Sequence, residues 1–329
     1  MTNDNDGTYA EPGRRRLPFS ALLPFAAGLA VGLLLRFVFS DESGHPLSAM
    51  SGAFVFGAPL IVGAVTVFVA ERQRPRSWTY YAAAGALSVI VFVLGTMIIM
   101  IEGLICAAII SPLFALLGAT GGLIMGAACR LGRHANKTLH GFIVLPMLIL
   151  GVEANTDLPA RIYEVERDLL IEAPRESVWH HIQNVPDVQP SEVSDAWAFR
   201  IGVPLPEYAI SMDTPGAFRR VRMGKNVYFD QVVAESRINE HVRWTYRFYE
   251  DSFPPNAFDD HVKIGGEYFD VLDTSYTLIP EGTHTRLVLK FRYRLSTRFN
   301  WYAGPLLQSM MSDLADTYLQ LYRERSMRM

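Results

Sequence analysis

The sequence contains little cysteine, with two residues among 329. Cys106 and Cys129 lie in an apolar region, 23 positions apart in what is expected to be one helix, so about 35 Å would separate them. An intramolecular disulfide cannot bridge that distance. Because residues 161–329 contain no cysteine, thiol catalysis is excluded there, and cysteine usage does not reveal the compartment of that region.

The sequence is also poor in charge. Charged residues make up 19% of it, against about 25% in an average soluble protein. The formal net charge of −3 is too close to zero to support nucleic-acid binding. Long apolar runs fill residues 17–152, whereas residues 161–329 alternate apolar and charged side chains. We therefore expect a membrane region (17–153), a short linker (154–161) and a soluble domain (162–329).

Five apolar segments predict membrane helices, because a spanning helix needs about 20 mostly apolar residues. They cover residues 17–39, 51–70, 78–101, 103–128 and 137–153. The third and fourth segments are separated by Glu102 alone, which predicts a tight hairpin.

The fifth segment decides on which side of the membrane the soluble domain lies. Its uncharged core between His140 and Glu153 is short, about 21 Å of helix, and Pro146 interrupts it. It is nevertheless apolar on every side, which is atypical of an interfacial helix. We expect it to span, and the alternative is a segment that only dips into the bilayer.

Basic residues flank the predicted helices in an alternating pattern. Nine of them precede the first helix or follow the second or fourth: Arg14, Arg15, Arg16, Arg72, Arg74, Arg76, Arg130, Arg133 and Lys137. The loop 40–50 and the turn at Glu102 contain neither Lys nor Arg. Basic loops stay in the cytoplasm. The pattern thus predicts a cytoplasmic N-terminus and, if the fifth segment spans, an extracytoplasmic soluble domain. We expect the membrane to be a bacterial inner membrane.

Glycines recur at four-residue spacing in two predicted helices: Gly118, Gly122 and Gly126 in the fourth, and Gly28 and Gly32 in the first. Such spacing lets helix backbones approach closely. We expect packing within one bundle, and an oligomer formed through the three glycines of the fourth helix is the alternative. Arg36 is expected to snorkel towards the membrane surface. Glu102 is expected to be an ordinary interfacial carboxylate rather than a functional group.

The soluble half predicts an antiparallel sheet followed by a long helix. Alternating strand candidates cover residues 162–173, 218–224, 227–236, 241–250, 269–280 and 283–296. A short amphipathic helix begins at Pro174, and a long helix from about Trp301 to Arg325 carries an apolar stripe. One sheet face should be solvated, and the other should be covered by the long helix.

This order of elements resembles the START-like SRPBCC superfamily, which includes polyketide cyclases and lipid-transfer domains. VERDLLIEAPRESVWHHIQN is similar to its opening strand and first helix, and FDVLDTSYTLIPEGTHTRLVLKFRYR is similar to its last hairpin. HVKIGGEYFDVLDTSY and STRFNWYAG resemble a bacterial subgroup of unassigned function that carries membrane helices in front. The resemblance implies a helix-grip fold, in which a curved sheet surrounds the long helix, and it carries no catalytic signature.

In such a fold, an apolar cavity would lie between the sheet and the long helix. Its expected wall residues are Trp244, Tyr246, Phe248, Leu289, Phe291, Tyr293, Met310, Met311 and Leu314. The alternative is that these side chains fill a core and leave no cavity of about 300 Å³, the lower size of a ligand pocket.

Two surface features are candidates for contacts with ligand or lipid. The loop 252–267 could cover the cavity as a lid through Phe253, Pro254, Pro255 and Phe258. The solvated sheet face carries Arg243, Arg247, Arg286, Lys290, Arg292 and Arg294, which could face anionic headgroups. The alternative for these six residues is pairing with acidic side chains across strands.

The sequence has little that indicates metal or cofactor chemistry. His180 and His181 are adjacent on a helix and so point in different directions, unlike metal ligands four residues apart. Asp259, Asp260 and His261 fall in a loop that is expected to be solvated. We therefore expect neither a metal nor a cofactor.

Three functions remain open at this point. The first is a membrane-anchored, non-catalytic module that binds a lipid or other hydrophobic ligand from the adjacent bilayer. The second is a cyclase-like or dehydratase-like enzyme acting on a hydrophobic substrate. Its expected inward polar groups are Arg167, Tyr246 and Tyr293, and a buried titratable pair in the cavity would favour this hypothesis. The third is a structural or sensory membrane protein with a filled core.

Overall fold

The computed structural model describes residues 19–39, 47–131, 135–153, 155–212, 218–255, 257 and 260–328. Five long helices form a bundle in the first half: α1 (Phe19–Val38), α2 (Gly52–Gln73), α3 (Trp78–Ile98), α4 (Leu104–Arg130) and α5 (Ala135–Glu153). All five are long and apolar enough to cross a membrane, as expected. The basic residues Arg14, Arg15, Arg16 and Arg133 lie outside the described residues.

The helices of the bundle approach one another closely at glycines. A Cβ atom at Gly85 would overlap the carbonyl oxygen of Gly118, and one at Gly122 would overlap that of Tyr81. Gly126 lies against the Tyr81 ring. Only glycine permits such close contact between helix backbones. The glycines of α4 therefore pack against neighbouring helices of the same chain, which corresponds to the first of the two interpretations of their spacing.

Helix α5 runs antiparallel to α2 over the full depth of the bundle. Near its start, Asn136 accepts a hydrogen bond from Arg72 Nη2, close to the end of α2, at 3.1 Å. At its other end, Glu153 accepts a hydrogen bond from the backbone N–H of Gly52, the first residue of α2, at 2.9 Å. Its 19 residues extend over about 28 Å, close to the ~30 Å of a hydrocarbon core.

Eight strands of the second half form one antiparallel sheet in the order β1-β8-β7-β6-β5-β4-β3-β2. The strands are β1 (Ala160–Ile171), β2 (Asn184–Val185), β3 (Pro206–Met212), β4 (Phe218–Met223), β5 (Tyr228–Arg237), β6 (His241–Arg247), β7 (Phe269–Glu281) and β8 (His284–Ser296). The helices are α6 (Arg175–Gln183), α7 (Pro190–Val193), α8 (Trp197–Arg200) and α9 (Asn300–Met327), and a 3₁₀ turn covers Asp260–Val262.

The sheet curls around α9, which confirms the expected helix-grip fold. On β8, the alternate residues Leu287, Leu289 and Phe291 are buried. They belong to the same core as Ala315 and Leu319 of α9. Strand alternation thus places one apolar face of the sheet against the long helix.

Four short elements were not expected from the sequence. Strand β2 has two residues, and α7 and α8 have four each, which is too short for a periodic pattern. Strand β3 begins at Pro206 and has no clean alternation of buried and exposed positions.

The helix-grip domain packs on the end of the bundle where α1 and α3 end and α2 and α4 begin. Ser48 and Tyr268 share a hydrogen bond between their hydroxyl oxygens at 3.0 Å. Tyr302 of α9 donates a hydrogen bond to the carbonyl oxygen of Ile109 on α4 at 2.7 Å. The opposite end of the bundle carries Arg72 and the other basic residues at the ends of α2 and α4.

The expectation that Arg36 snorkels is wrong. Its side chain is 4% exposed, and its Nε donates a hydrogen bond to Glu102 Oε1 at 2.8 Å. The reason is that the helix-grip domain covers this end of the bundle, so the Arg36 guanidinium is paired instead of solvated. Glu102 is likewise the partner of a buried cation and not a solvated interfacial carboxylate.

Candidate ligand cavity

A cavity of about 300 Å³ lies between the concave face of the sheet, α9 and the end of the helical bundle. Its walls are mostly apolar, and they come from both halves of the chain. The bundle contributes Phe54 from α2, Phe92 from α3, and Ile110 and Phe114 from α4. The volume is at the lower end of the range of about 300–1,000 Å³ typical of ligand pockets.

Five of the nine wall residues expected from the sequence line this cavity. They are Tyr246 of β6, Phe291 of β8, and Met310, Met311 and Leu314 of α9. These side chains share the concave face of the sheet or the facing side of α9, which is why alternation and helical periodicity placed them together.

The other four expected wall residues pack beside the cavity. Trp244, Leu289 and Tyr293 are wholly buried. Tyr293 stacks on Tyr163 with ring centroids 5.7 Å apart. Phe248, near the end of the same sheet face, packs against Phe229, Tyr246 and Phe253. These rings belong to the core around the cavity, because facing inward does not by itself place a side chain at a void.

A row of polar side chains crosses the concave face of the sheet. Strand register places Arg219 of β4 opposite Gln231 of β5, and Gln231 opposite Tyr246 of β6. The Gln231 amide donates a hydrogen bond to the Tyr246 hydroxyl at 3.4 Å, and that hydroxyl lies 2.5 Å from the hydroxyl of Thr274 on β7. All four residues line the cavity. We call Arg219, Gln231, Tyr246 and Thr274 the polar row.

Arg219 differs from its neighbours on β4 in its partners. The outward-facing Arg220 forms a two-pronged ion pair with Asp230 at 2.7 and 3.0 Å, and Arg222 lies 3.6 Å from Glu207. Arg219 faces inward and is 4% exposed. In the part of the chain that the structure describes, no carboxylate lies within ion-pair distance of Arg219, and its Nε–H has no hydrogen-bond acceptor.

The contacts that Arg219 does make are with aromatic side chains. Its guanidinium carbon lies 5.1 Å from the centroid of the Trp244 ring, a cation–π arrangement. Its Nη2 is 3.5 Å from the hydroxyl of Tyr322 on α9. The sequence does contain a signal for this residue, because Val221 must face the core and period-two alternation in FRRVRMG then turns Arg219 inward as well.

Tyrosines surround the polar row and include a buried pair. The Tyr276 and Tyr322 hydroxyls are 3.4 Å apart. Burial raises the pKa of Tyr246, Tyr276 and Tyr318, and the Tyr322 hydroxyl raises that of Tyr276 further. The nearby Arg219 charge lowers these pKa values in part. The three hydroxyls therefore stay protonated at neutral pH, where they can donate hydrogen bonds but cannot act as bases.

The loop expected as a lid is only partly described. Phe253 packs on Phe248 with ring centroids 5.4 Å apart, and Lys263 lies over the Phe253 ring. Pro254 is partly buried, and Pro255 is exposed. Phe258 lies outside the described residues, as do Asn256 and Asp259. Whether this loop covers the cavity stays a prediction.

The basic residues of the outer sheet face are mostly paired. Arg247 is exposed. The other five contact acidic side chains or backbone carbonyls: Arg243 with Glu235, Arg286 with Asp168 and Glu281, Lys290 with Glu164 and Glu166, Arg292 with Asp273, and Arg294 with Gly266 and Glu267. This is the cross-strand pairing weighed as the alternative, and contact with lipid headgroups stays a prediction.

Two further groups of sequence candidates lie away from the polar row. Arg167, expected to point inward, is about half exposed at the sheet edge and lies 3.5 Å from Asp316. His181 is partly buried on α6, and burial lowers its pKa. His261 does line the cavity, with its ring 6.1 Å from that of Tyr268. Within the described residues, no cluster of three or more potential ligands could hold a metal ion.

Comparisons with known proteins found similarity to solved structures only. No protein-family model matches the chain, and no curated protein matches it. Similar structures include a protein of Thermus thermophilus (22% identity, 50% of this chain and 97% of that one, TM-score 0.33). They also include norcoclaurine synthase of Thalictrum flavum (12%, 51% and 98%, TM-score 0.30) and the ZhuI aromatase/cyclase of Streptomyces sp. R1128 (12%, 51% and 95%, TM-score 0.30).

Proposed function

We propose that this protein is a membrane-anchored binding module that takes a lipid or another hydrophobic ligand from the adjacent bilayer and performs no chemistry on it. The observation that carries the proposal is the shared wall of the cavity. Phe54, Phe92 and Ile110 on three apolar helices line the same void as Phe291 and Met311 of the helix-grip domain. A ligand leaving the bilayer along these helices would reach the void without crossing water.

The side chains of the cavity fit binding better than catalysis. Apolar walls with a few convergent polar groups are typical of ligand pockets. Met310 and Met311 provide a surface that adapts to ligand shape. The tyrosines around the polar row are protonated at neutral pH, so they orient a ligand rather than remove a proton from it.

The proposed location is the outer face of a bacterial inner membrane. The domain packs on the bundle end that lacks the basic loops, and basic loops stay in the cytoplasm. In this proposal α5 is the fifth crossing.

The test measures binding of the neutral fluorescent probe 1-aminoanthracene to the full chain in phosphatidylcholine nanodiscs. The fluorescence of the probe in nanodiscs without the protein is subtracted. We expect saturable binding with one probe per chain. Leu314→Trp fills the cavity from α9 and should weaken this binding by about fivefold or more, since accommodating the probe in an overpacked cavity would cost about 1–3 kcal/mol. The matched control Gln320→Trp, on the exposed side of α9, should bind like the wild type. Non-saturable binding, or equal binding by all three proteins, would contradict the proposal.

A further inference from the structure

Among the residues that the structure describes, no carboxylate neutralises one of the positive charges on the concave face of the sheet. A buried cation is strongly unfavourable unless it is paired, and the guanidinium of arginine keeps its charge in proteins. Arg219 is 4% exposed and faces the apolar cavity. Its neighbours Arg220 and Arg222 on the same strand each have a carboxylate partner. Of the three arginines on β4, the one that faces the cavity, Arg219, is thus the one with no carboxylate partner among the described residues.

The groups next to Arg219 are also incompletely satisfied. Among the described residues, the Arg219 Nε–H has no acceptor, and the Oε1 of the neighbouring Gln231 amide has no donor. Rotating that amide by 180° exchanges its oxygen and nitrogen, so the open end of Gln231 can present either an acceptor or an N–H donor. An anion placed here would receive a charge-assisted hydrogen bond from Arg219 and a second one from Gln231.

The charge balance of the cavity indicates how much negative charge a ligand should carry. Three described lining residues have charged side chains, besides the titratable His261. Arg36 and Glu102 neutralise each other at 2.8 Å. Among the described lining residues, Arg219 is thus left with one uncompensated positive charge, which matches a monoanion. A phosphate dianion would bring a second negative charge into an apolar site without a partner.

We propose that the ligand is a long-chain carboxylate whose headgroup pairs with Arg219 and whose chain extends towards the bundle. The inference rests on the proposed function and adds the chemical class and the orientation of the ligand. The apolar chain would lie along Phe291 and Met311 and end among Phe54 and Phe114, where the cavity is lined by the apolar helices. A fatty acid released within the membrane and an imported aliphatic carboxylate share this chemistry.

The test compares hexadecanoate with its methyl ester, which has the same chain but no charge. Each is added at equal mole fraction to the nanodiscs at pH 8, and displacement of 1-aminoanthracene from the full chain is measured. We expect hexadecanoate to displace the probe at least about tenfold better than the ester, as for a hydrogen bond to a charged group. Arg219→Met should abolish this difference, because the carboxylate then loses its cationic partner. Arg222→Met, on the outer face of the same strand, should behave like the wild type.

The stability of Arg219→Met provides a second readout. Without ligand, removal of an unpaired buried charge should leave the melting temperature unchanged or raise it. A purely structural arginine would lower it on removal. Hexadecanoate should raise the melting temperature of the wild type and not that of Arg219→Met.

The possible outcomes distinguish a failure of the headgroup assignment from a failure of the proposed function. Equal displacement by the acid and the ester in the wild type would overturn the headgroup assignment and leave the proposed function intact. Stronger displacement by hexadecyl phosphate than by hexadecanoate would overturn the choice of a carboxylate. If 1-aminoanthracene itself shows no saturable binding, the proposed function fails, and the headgroup assignment fails with it. The comparison of acid and ester needs only the wild-type protein, so it holds even if Arg219→Met does not fold.

Discussion

At the scale of single residues, the domain neutralises its other buried charges locally. Asp230 is wholly buried and forms two hydrogen bonds with Arg220. Glu192 of α7 is 7% exposed and accepts hydrogen bonds from Arg325 of α9 at 2.7 and 3.1 Å. Against this pattern, Arg219 is the exception among the described residues of β4, and its place in the cavity points to a ligand. A local rule is most often broken at a functional site.

The Glu192–Arg325 pair gives a pH-dependent prediction. Burial alone would raise the pKa of Glu192, but hydrogen bonds from Arg325 and from the backbone N–H of Gln189 lower it below its ordinary value. A carboxyl group with a lowered folded-state pKa stabilises the fold above its unfolded value, about 4.3, and this stabilisation is lost as pH falls through the folded-state pKa.

We therefore expect Glu192→Gln to lower the free energy of unfolding at pH 7 by about 1–3 kcal/mol, because Arg325 loses its anionic partner. Chemical unfolding in a mild detergent should show this difference shrinking as the pH is lowered from 7 towards 3. The control Glu207→Gln removes a partly exposed ion pair with Arg222 of β4, away from Glu192, and should change the free energy by less than about 1 kcal/mol. A difference that stays constant with pH would contradict this role of Glu192.

The sequence predicts which side chains of the site face inward, but not which of them contact one another or line the cavity. Alternation alone turns Tyr246, Phe291 and Arg219 inward, so each could be placed on the concave face. The hydrogen bond between Gln231 and Tyr246 depends on strand register, which the sequence does not specify. Whether an inward ring lines a void or fills a core depends on all its neighbours. Alternation therefore predicts Trp244 and Tyr293 in the cavity wall, although they lie in the core beside it.

At the scale of secondary structure, helices and long strands follow from composition, whereas their contacts do not. Apolar length predicts all five bundle helices, and period-two alternation predicts the long strands around α9. How deeply α5 extends along the bundle depends on its contacts with α2, which its composition does not show. Its Pro146, which appears in the sequence as an interruption, is buried against Gly57 of α2, where a Cβ atom would lie 2.5 Å from the proline Cγ.

The glycine contacts of α4 give a prediction with a matched control. Gly118→Ala would place a methyl group 2.5 Å from Val89 Cγ2 and 2.6 Å from the carbonyl oxygen of Gly85. This overpacking is expected to cost about 1–3 kcal/mol and to lower the melting temperature of the purified chain. Gly151→Ala on α5 meets nothing within 4 Å and gains the same helix propensity, so its melting temperature should be unchanged or slightly higher. If both substitutions changed the melting temperature equally, the close backbone contact at Gly118 would not be important for stability, and the prediction would be wrong.

At the scale of the whole molecule, the cavity belongs to neither half alone. The sheet and α9 form its walls on one side, and the ends of α1 to α4 form them on the other. Tyr302 and Ser48 connect the two halves with hydrogen bonds. A sequence shows two regions of different composition but not the surface that they share, because that surface depends on contacts between segments far apart in the chain.

The same arrangement predicts the orientation of the protein in the membrane. Helix α5 connects the bundle end near Arg72 with the end near Gly52, so residues on either side of it belong to opposite faces of the bundle. If the basic loops are cytoplasmic, alkaline phosphatase fused after Asp157 or at the C-terminus should be active, and a fusion after Lys137 should be inactive. Fusions of a cytoplasmic fluorescent protein at the same sites should give the reverse pattern.

This topology experiment bears directly on where the ligand comes from. With the domain outside, the cavity would be filled from the outer leaflet or from molecules arriving through the envelope. Fluorescence after Asp157 with no phosphatase activity would mean that α5 does not cross the membrane, although it runs the depth of α2 beside it. The cavity would then be filled from the cytoplasmic leaflet. The pairing of a carboxylate with Arg219 depends on the cavity and not on the side of the membrane, and so it would be unaffected by that result.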